Sequence, residues 1–134
     1  MSVIVTDEGF RPDDWQGPIV PLAERVAEEA VDLPSDAPLD ALDAVPLDLR
    51  LVRIAFPKAA DGRGFTLARL LRLRGFRGRL RAHGHVIADQ YAMARRSGFD
   101  EVEIDDDLAA RQPEPQWRAR ADWRSHHHQA RLRG

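Results

Sequence analysis

Lys58, Asp61 and Arg63 fall within six positions of the segment Phe56-Pro-Lys-Ala-Ala-Asp-Gly-Arg-Gly-Phe65, where Gly62 and Gly64 leave the backbone open to close approach. Two cations, free amides and the positive end of a following helix would together hold an oxyanion or a phosphate. The segment has neither Walker A spacing nor G-x-G-x-x-G, so the common nucleotide-binding routes are not indicated. An Asp61–Arg63 pair that merely fixes the loop, with Lys58 capping a carbonyl, accounts for the same residues equally well. A second constellation is His83-Gly-His85, followed one helical turn later by Asp89. Two imidazoles and a carboxylate could fill three positions of a zinc site. H-x-H is a short motif, however, and capping or loop histidines are the commoner outcome, so no metal is assigned. Asp89 and Gln90, near a helix start, could equally bond Arg81 or the preceding loop. Asp61 and Asp89 both lie among arginines that would keep them ionised, which disfavours acid catalysis by a carboxylate pair. No Ser/His/Asp order or nucleophile elbow is present.

The C-terminal residues are harder to place. His126-His127-His128 fits neither a metal site nor an expression tag well and is expected to lie in a flexible tail. Trp117-Arg-Ala-Arg-Ala-Asp-Trp123-Arg mixes cations with aromatic rings, a composition able to grip an acidic surface, stack on bases, or pack back onto its own domain.

With no cysteine, the chain supplies no disulfide, thiolate nucleophile or iron–sulfur ligand. No run approaches the ~20 apolar residues of a membrane span and no signal-peptide pattern opens the chain, so a soluble cytoplasmic protein is expected. The net charge of −2 hides an asymmetry: residues 1–48 hold twelve acids and two arginines, residues 49–105 twelve bases and six acids. Either an acidic flank packs beside a basic module, or the basic part meets an anionic partner. With no basic excess overall, nucleic acid is the weaker candidate for that partner.

These residues must be positioned by elements, and the pattern is sharpest from Leu49 to Asp105. Leu49–Phe56 reads as an interior parallel strand. Thr66 is placed to cap a helix carrying Leu67, Leu70 and Leu71, which ends in a Gly75-Phe76 left-handed cap. Arg79–Ala82 is a second strand, a helix through Ile87, Tyr91 and Ala94 ends in a matching Gly98-Phe99, and Glu101–Ile104 alternates as a last strand near an edge, its second side being acidic. Before Leu49 the signal is weak: Val3–Val5, an edge strand at Ile19–Leu22, helical composition over Leu22–Ala30, a strand at Val31–Leu33, and a brief helix from Ser35 or Asp36 through Leu42. The expectation is an α/β fold with a small, mainly parallel sheet of about four strands, as an open doubly wound sheet or a barrel fragment. Residues 1–112 would form one domain, and residues 113–134 a linker and tail that look peripheral. Parallel sheets put ligand sites beyond the carboxyl ends of their strands, so Lys58, Arg63 and Arg81 are expected to converge there.

The run Phe56-Pro-Lys58…Asp61-Gly-Arg63-Gly-Phe65…Ala68-Arg69-Leu-Leu-Arg72…Leu80-Arg81-Ala82…Gly84…Asp89-Gln90…Arg95-Arg96…Gly98-Phe99-Asp100 resembles the bacterial domain-of-unknown-function nine-three-four family. These are small proteins encoded beside the sulfite reductase haemoprotein and labelled oxidoreductases of sulfite reduction. The resemblance implies that Lys58, Asp61, Gly62, Arg63, Arg69, Arg81, Asp89, Gln90, Arg95 and Arg96 occupy motif positions. It also implies a role in sulfur assimilation, with sulfite reductase or another protein of that process, or a small anion, as partner. The chain departs from the family at His85, where an acid is usual, and at Ser97, where the R-R-C-G-F-D run has cysteine. No flavin, haem or iron–sulfur ligation pattern is present, so no cofactor is assigned and electron transfer by this chain alone is disfavoured. An accessory binding protein is the first expectation; a small-anion enzyme using Lys58 and Arg63 is the alternative, and a nucleic-acid adaptor a weaker one.

Overall fold

In the computed structural model, which describes residues 2–58 and 61–124, the strands form a single seven-stranded sheet. They are β1 (Ser2–Thr6), β2 (Gly9–Pro12), β3 (Val20–Pro21), β4 (Ala30–Leu33), β5 (Leu51–Phe56), β6 (Arg79–Gly84) and β7 (Glu101–Asp105), ordered β2-β1-β7-β6-β5-β4-β3. The α-helices are α1 (Arg63–Leu73), α2 (Tyr91–Ser97), α3 (Asp106–Arg111) and α4 (Glu114–Arg118). The α/β class and the mainly parallel sheet agree with expectation, but seven strands replace about four. β1, β3 and β4 form where Val3–Val5, Ile19–Leu22 and Val31–Leu33 carried a weak strand signal, and β2 is the strand that was not anticipated.

From β3 to β7 each strand is parallel to, and beside, its predecessor. Right-handed crossovers that always step in one direction keep the connecting helices on one face, and the strand order does not reverse as it does in a doubly wound sheet. On that face Val52, Ile54, Phe56, Ala82 and Val102 pack with Phe65, Leu67 and Leu71 of α1 and Tyr91 and Ala94 of α2. Gly64 lets α1 approach: a Cβ there would run into the Phe56 ring.

The helix-free face carries charge where a parallel sheet is ordinarily apolar on both sides. Asp32, Arg53, Arg81 and Glu101 align as one cross-strand row, with His83 and Glu103 in the next. A strap crosses this face. β2 lies at one edge of the sheet and β3 at the other, six strand spacings or ~29 Å apart. The eight residue steps from Pro12 to Val20 reach at most ~29 Å. The connection therefore takes the short way over, and Asp13 and Asp14 meet Arg81 and Arg79 as it passes.

Several expectations are corrected. Glu101–Ile104 is an interior strand: β1 pairs antiparallel with its outer side, and its acids are held by arginines of β5 and β6. Leu22–Ala30 forms only a 3-10 turn over Leu22–Glu24 before the chain extends into β4. The residues from Ser35 to Ala44 give a 3-10 helix at Leu39–Ala44. Thr66 lies inside α1; Asp61, two residues before the helix starts, accepts the Arg63 amide at 3.1 Å. Trp117 is not peripheral: it is buried, donates Nε1–H to the Gln112 carbonyl at 2.8 Å and packs edge-on to Tyr91. The fold therefore continues past residue 112. Both glycine caps form as expected, with Phe76 N–H on Leu71 O and Phe99 N–H on Ala94 O, each 3.1 Å. Among the described residues no helix is long and apolar enough to cross a membrane.

Candidate functional site

The loop after β5 does gather part of the expected set at a strand end. Asp61 grips Arg63 through both oxygens, 2.9 Å to Nε and 2.8 Å to a terminal nitrogen, and the Arg63 side chain and amide hold the Asp61 carboxyl below the usual carboxylate range. Gly62 is the residue before α1 and Lys58 is exposed in the same loop. Arg63 remains 60% exposed and, with Ser35, Asp36 and Thr66, lines a cavity of about 200 Å³.

Arg81 does not join them. The register places it opposite Arg53 and Glu101, in mid-strand on the helix-free face, and its side chain is wholly buried. Nε donates to Glu101 at 2.6 Å, one terminal nitrogen to Glu103 at 2.9 Å, and both to Asp13 at 3.1 Å. Arg53 is engaged similarly, by Asp32 at 2.6 and 2.9 Å and Glu103 at 3.1 Å. Burial would raise the Glu103 carboxyl, but His83, Arg53 and Arg81 around it hold it below its ordinary value. His83 Nε2 stands 3.4 Å from Glu103, and burial pushes its pKa down. The expected meeting of Lys58, Arg63 and Arg81 fails because strand alternation sends Arg81 to the opposite face from the α1 loop.

A separate concentration of guanidiniums lies where the α1–β6 and α2–β7 turns meet. Arg72, Arg77, Arg95, Arg124 and Trp123 line a cleft of about 410 Å³ in which Asp100 is the acid. Arg72 is pinned by carbonyls of both turns: Gly98 at 2.8 and 3.0 Å, Phe76 at 3.0 Å and Gly78 at 2.8 Å, with Asp100 at 2.9 Å. Arg95 holds Asp7 at 3.2 Å and the Phe99 carbonyl at 2.6 Å, and lies 4.7 Å over the Trp123 ring. Burial would raise the Asp7 carboxyl; Tyr91, whose hydroxyl donates to it at 2.5 Å, and Arg95 keep it below the usual range. Two fixed cations thus form the wall, while Arg77 and Arg124 are exposed at its mouth. Anions are the guests such a cleft favours.

The remaining expected residues are dispersed. Asp89 pairs with Arg120 at 2.6 Å, and Gln90 accepts the Ile87 amide at 3.1 Å through its side chain. Arg69 and Arg96 are exposed on α1 and α2. His83 and Asp89 have different partners, and among the described residues no three potential ligands gather for a metal ion. His126–His128 lie outside the described residues. Sequence reasoning missed Arg72, Arg77 and Arg124 as site residues, although the Trp117–Arg124 mixture of cations and rings was a usable signal for the last of these.

No curated protein and no solved structure shows significant similarity to the chain. The family described as bacterial protein of unknown function (DUF934) matches over residues 30–132, which spans β4 to β7, α1 to α4 and every residue of the arginine cleft, and the chain belongs to that family.

Proposed function

We propose that the protein is a cytoplasmic accessory component of assimilatory sulfite reduction that binds an anionic group, on the reductase machinery or as a free ligand, in the cleft between the α1–β6 and α2–β7 turns. The observation that carries this is the set of four arginines around one cleft with Asp100 as its acid. The sulfite link comes from the family resemblance; the binding role comes from the cleft. Arg72 and Arg95 are held by backbone carbonyls and carboxylates, so they supply positive field without reorganising, and Arg77 and Arg124 provide exposed donors. Co-purification of the tagged full chain at low salt checks it: sulfur-assimilation proteins should be retained, be lost as salt is raised, and be lost from an Arg77→Glu/Arg124→Glu variant. No retained partner, or retention indifferent to both arginines, would overturn the reading.

A second reading is a small-anion enzyme at the β5 end, favoured by the 200 Å³ cavity that Arg63 lines beside Lys58's loop. Thermal-shift measurements with sulfite, sulfate and adenylyl sulfate separate the two, because ligand at a hundred times its dissociation constant stabilises by ~2.7 kcal/mol. A shift abolished by Lys58→Ala and Arg63→Ala supports the enzyme; a shift abolished by the Arg77/Arg124 pair supports the cleft.

A further inference from the structure

Neither α1 nor α2 contains an acid: their charges are Arg63, Arg69, Arg72, Arg95 and Arg96. The two helices lie side by side and run in the same direction, since each leads from one parallel strand to the next. Arg72, in the last turn of α1, bonds the Gly98 carbonyl just past α2, which brings the carboxyl ends of the helices level. Arg63, Arg72 and Arg95 are engaged by Asp61, Asp100 and Asp7. Arg69 and Arg96 are exposed and, among the described residues, have no carboxylate partner. The flanking acids Asp43, Asp89 and Asp100 are already paired, with Arg74, Arg120 and Arg72. Two large apolar side chains are exposed on the same helices, Leu73 at 76% and Met93 at 49%. Leu73 follows Arg69 by one turn of α1, and Arg96 follows Met93 by one turn of α2, so each pair shares an outward stripe. With the ends level, Arg69 stands beside Met93, and Leu73 stands beside Arg96.

We infer that the outer face of α1 and α2 docks an acidic segment of a partner protein that carries apolar residues among its carboxylates, the acids reaching Arg69 and Arg96 and the apolar side chains covering Leu73 and Met93. Cations and apolar side chains alternate across the two helices, and the groove between packed helices is a surface on which an amphipathic segment can lie. The two free guanidiniums set the charge of the guest. Leu73 and Met93 set its class: a small anion would leave both uncovered. Nucleic acid would be held through its phosphates alone, because the rings of these helices, Phe65 and Tyr91, are buried and offer the bases nothing to stack on. None of the four docking residues lines the arginine cleft, so the inference does not depend on an anion binding there.

Met93 is one of two methionines in the chain, so the full chain with isotopically labelled methionine methyls reports on this face by NMR, the Met93 signal being assigned with Met93→Leu. The probe is the peptide Glu-Leu-Glu-Glu-Leu-Leu-Glu-Glu, blocked at both ends, compared with versions in which serine replaces leucine or lysine replaces glutamate, and with oligo-uridine. The acidic leucine peptide should shift the Met93 methyl saturably, the serine version should bind at least about tenfold more weakly, and the lysine version should not bind. Arg69→Glu/Arg96→Glu should abolish the shift while the thermal midpoint stays near that of the parent, both positions being exposed. Arg77→Glu/Arg124→Glu, which alters the cleft mouth, should leave a saturable shift. Absence of a saturable Met93 shift, an affinity unchanged by Arg69→Glu/Arg96→Glu, equal binding of the serine peptide, tighter binding of oligo-uridine, or a shift lost only with Arg77 and Arg124 would each overturn the proposal.

Discussion

Individual arginines of this chain have opposite roles according to burial. Arg81, fully buried among Glu101, Glu103 and Asp13, is a structural member of the sheet. Removing it leaves buried carboxylates uncompensated, so Arg81→Met should destabilise by about 3–5 kcal/mol, measured by urea unfolding. Arg69→Ala, at an exposed helix position, should change stability by no more than about 0.5 kcal/mol. Ser97 gives a finer example. It is 2% exposed and its hydroxyl has no hydrogen-bond partner. It stands at the position where the resemblance noted in the sequence implies a cysteine. A thiol tolerates an apolar site better than an unpartnered hydroxyl does, so Ser97→Cys should raise stability by about 1 kcal/mol, and Ser97→Ala should not lower it. A loss of stability in both variants would show that the hydroxyl has a partner. Burial also identifies this position as one of packing.

At the scale of elements, the two βα units were legible because local chemistry and tertiary packing agree in them. Leu67 and Leu71 lie on the inward stripe of α1, and Gly75-Phe76 and Gly98-Phe99 close both helices with the same geometry. The two caps are not equivalent. A Cβ at Gly75 would meet only Leu47, at 4.0 Å, whereas one at Gly98 would come within 2.7 Å of Arg72 Cγ. Arg72 cannot swing away without releasing the carbonyls of Phe76, Gly78 and Gly98. Gly75→Ala should therefore cost about 1–2 kcal/mol, the left-handed backbone penalty alone. Gly98→Ala should cost clearly more, and it should also loosen the α1–β6 turn, seen as faster amide exchange at Gly78 and Arg79. Outside these units the signal was fainter: the short strands expected at Val3–Val5, Ile19–Leu22 and Val31–Leu33 do form as β1, β3 and β4, whereas β2, opened by a glycine and closed by a proline, went unread. The acids of β7 suggested an edge because their partners, Arg53, Arg79 and Arg81, lie 20 to 50 residues away in sequence. The same long-range pairing made Arg81 look available to a ligand, and the cleft escaped notice because Arg72, Arg77, Arg95 and Arg124 meet only when two turns and the Trp123 segment pack together.

Across the whole molecule, the segregation of charge along the chain becomes a set of contacts that join its parts. Among the described residues, acids from the first 48 positions meet bases from residues 49–105 in six pairs: Asp7–Arg95, Asp13–Arg81, Asp14–Arg79, Glu29–Arg50, Asp32–Arg53 and Asp43–Arg74. Much of the basic excess is thereby answered internally, with Lys58, Arg69, Arg77, Arg96 and Arg124 among the bases that stay exposed. This architecture sets the response to pH. Asp7, Asp13, Asp14 and Glu103 all have carboxyls held below their ordinary values despite opposing burial where it acts, through Arg95, Arg81, Arg79 and Arg53 among their neighbours. A carboxyl whose folded pKa is depressed binds fewer protons folded than unfolded, so its contribution is complete above the unfolded value of ~4 and is lost as pH falls towards the folded one. His83 acts with the same sign: burial lowers its pKa, so the folded state resists protonation and stability falls as pH drops below ~6.5. Urea unfolding followed by tryptophan fluorescence should therefore show a shallow decline beginning near pH ~6.5 and a steeper one below ~4. His83→Gln should remove the first and leave the second. Asp13→Asn/Asp14→Asn should lower stability at neutral pH and flatten the second, because the strap then has no charge to lose. A shallow decline that survives His83→Gln would assign it to another group, and a steep decline unaffected by the strap variant would mean that the strap lies on the sheet without holding it.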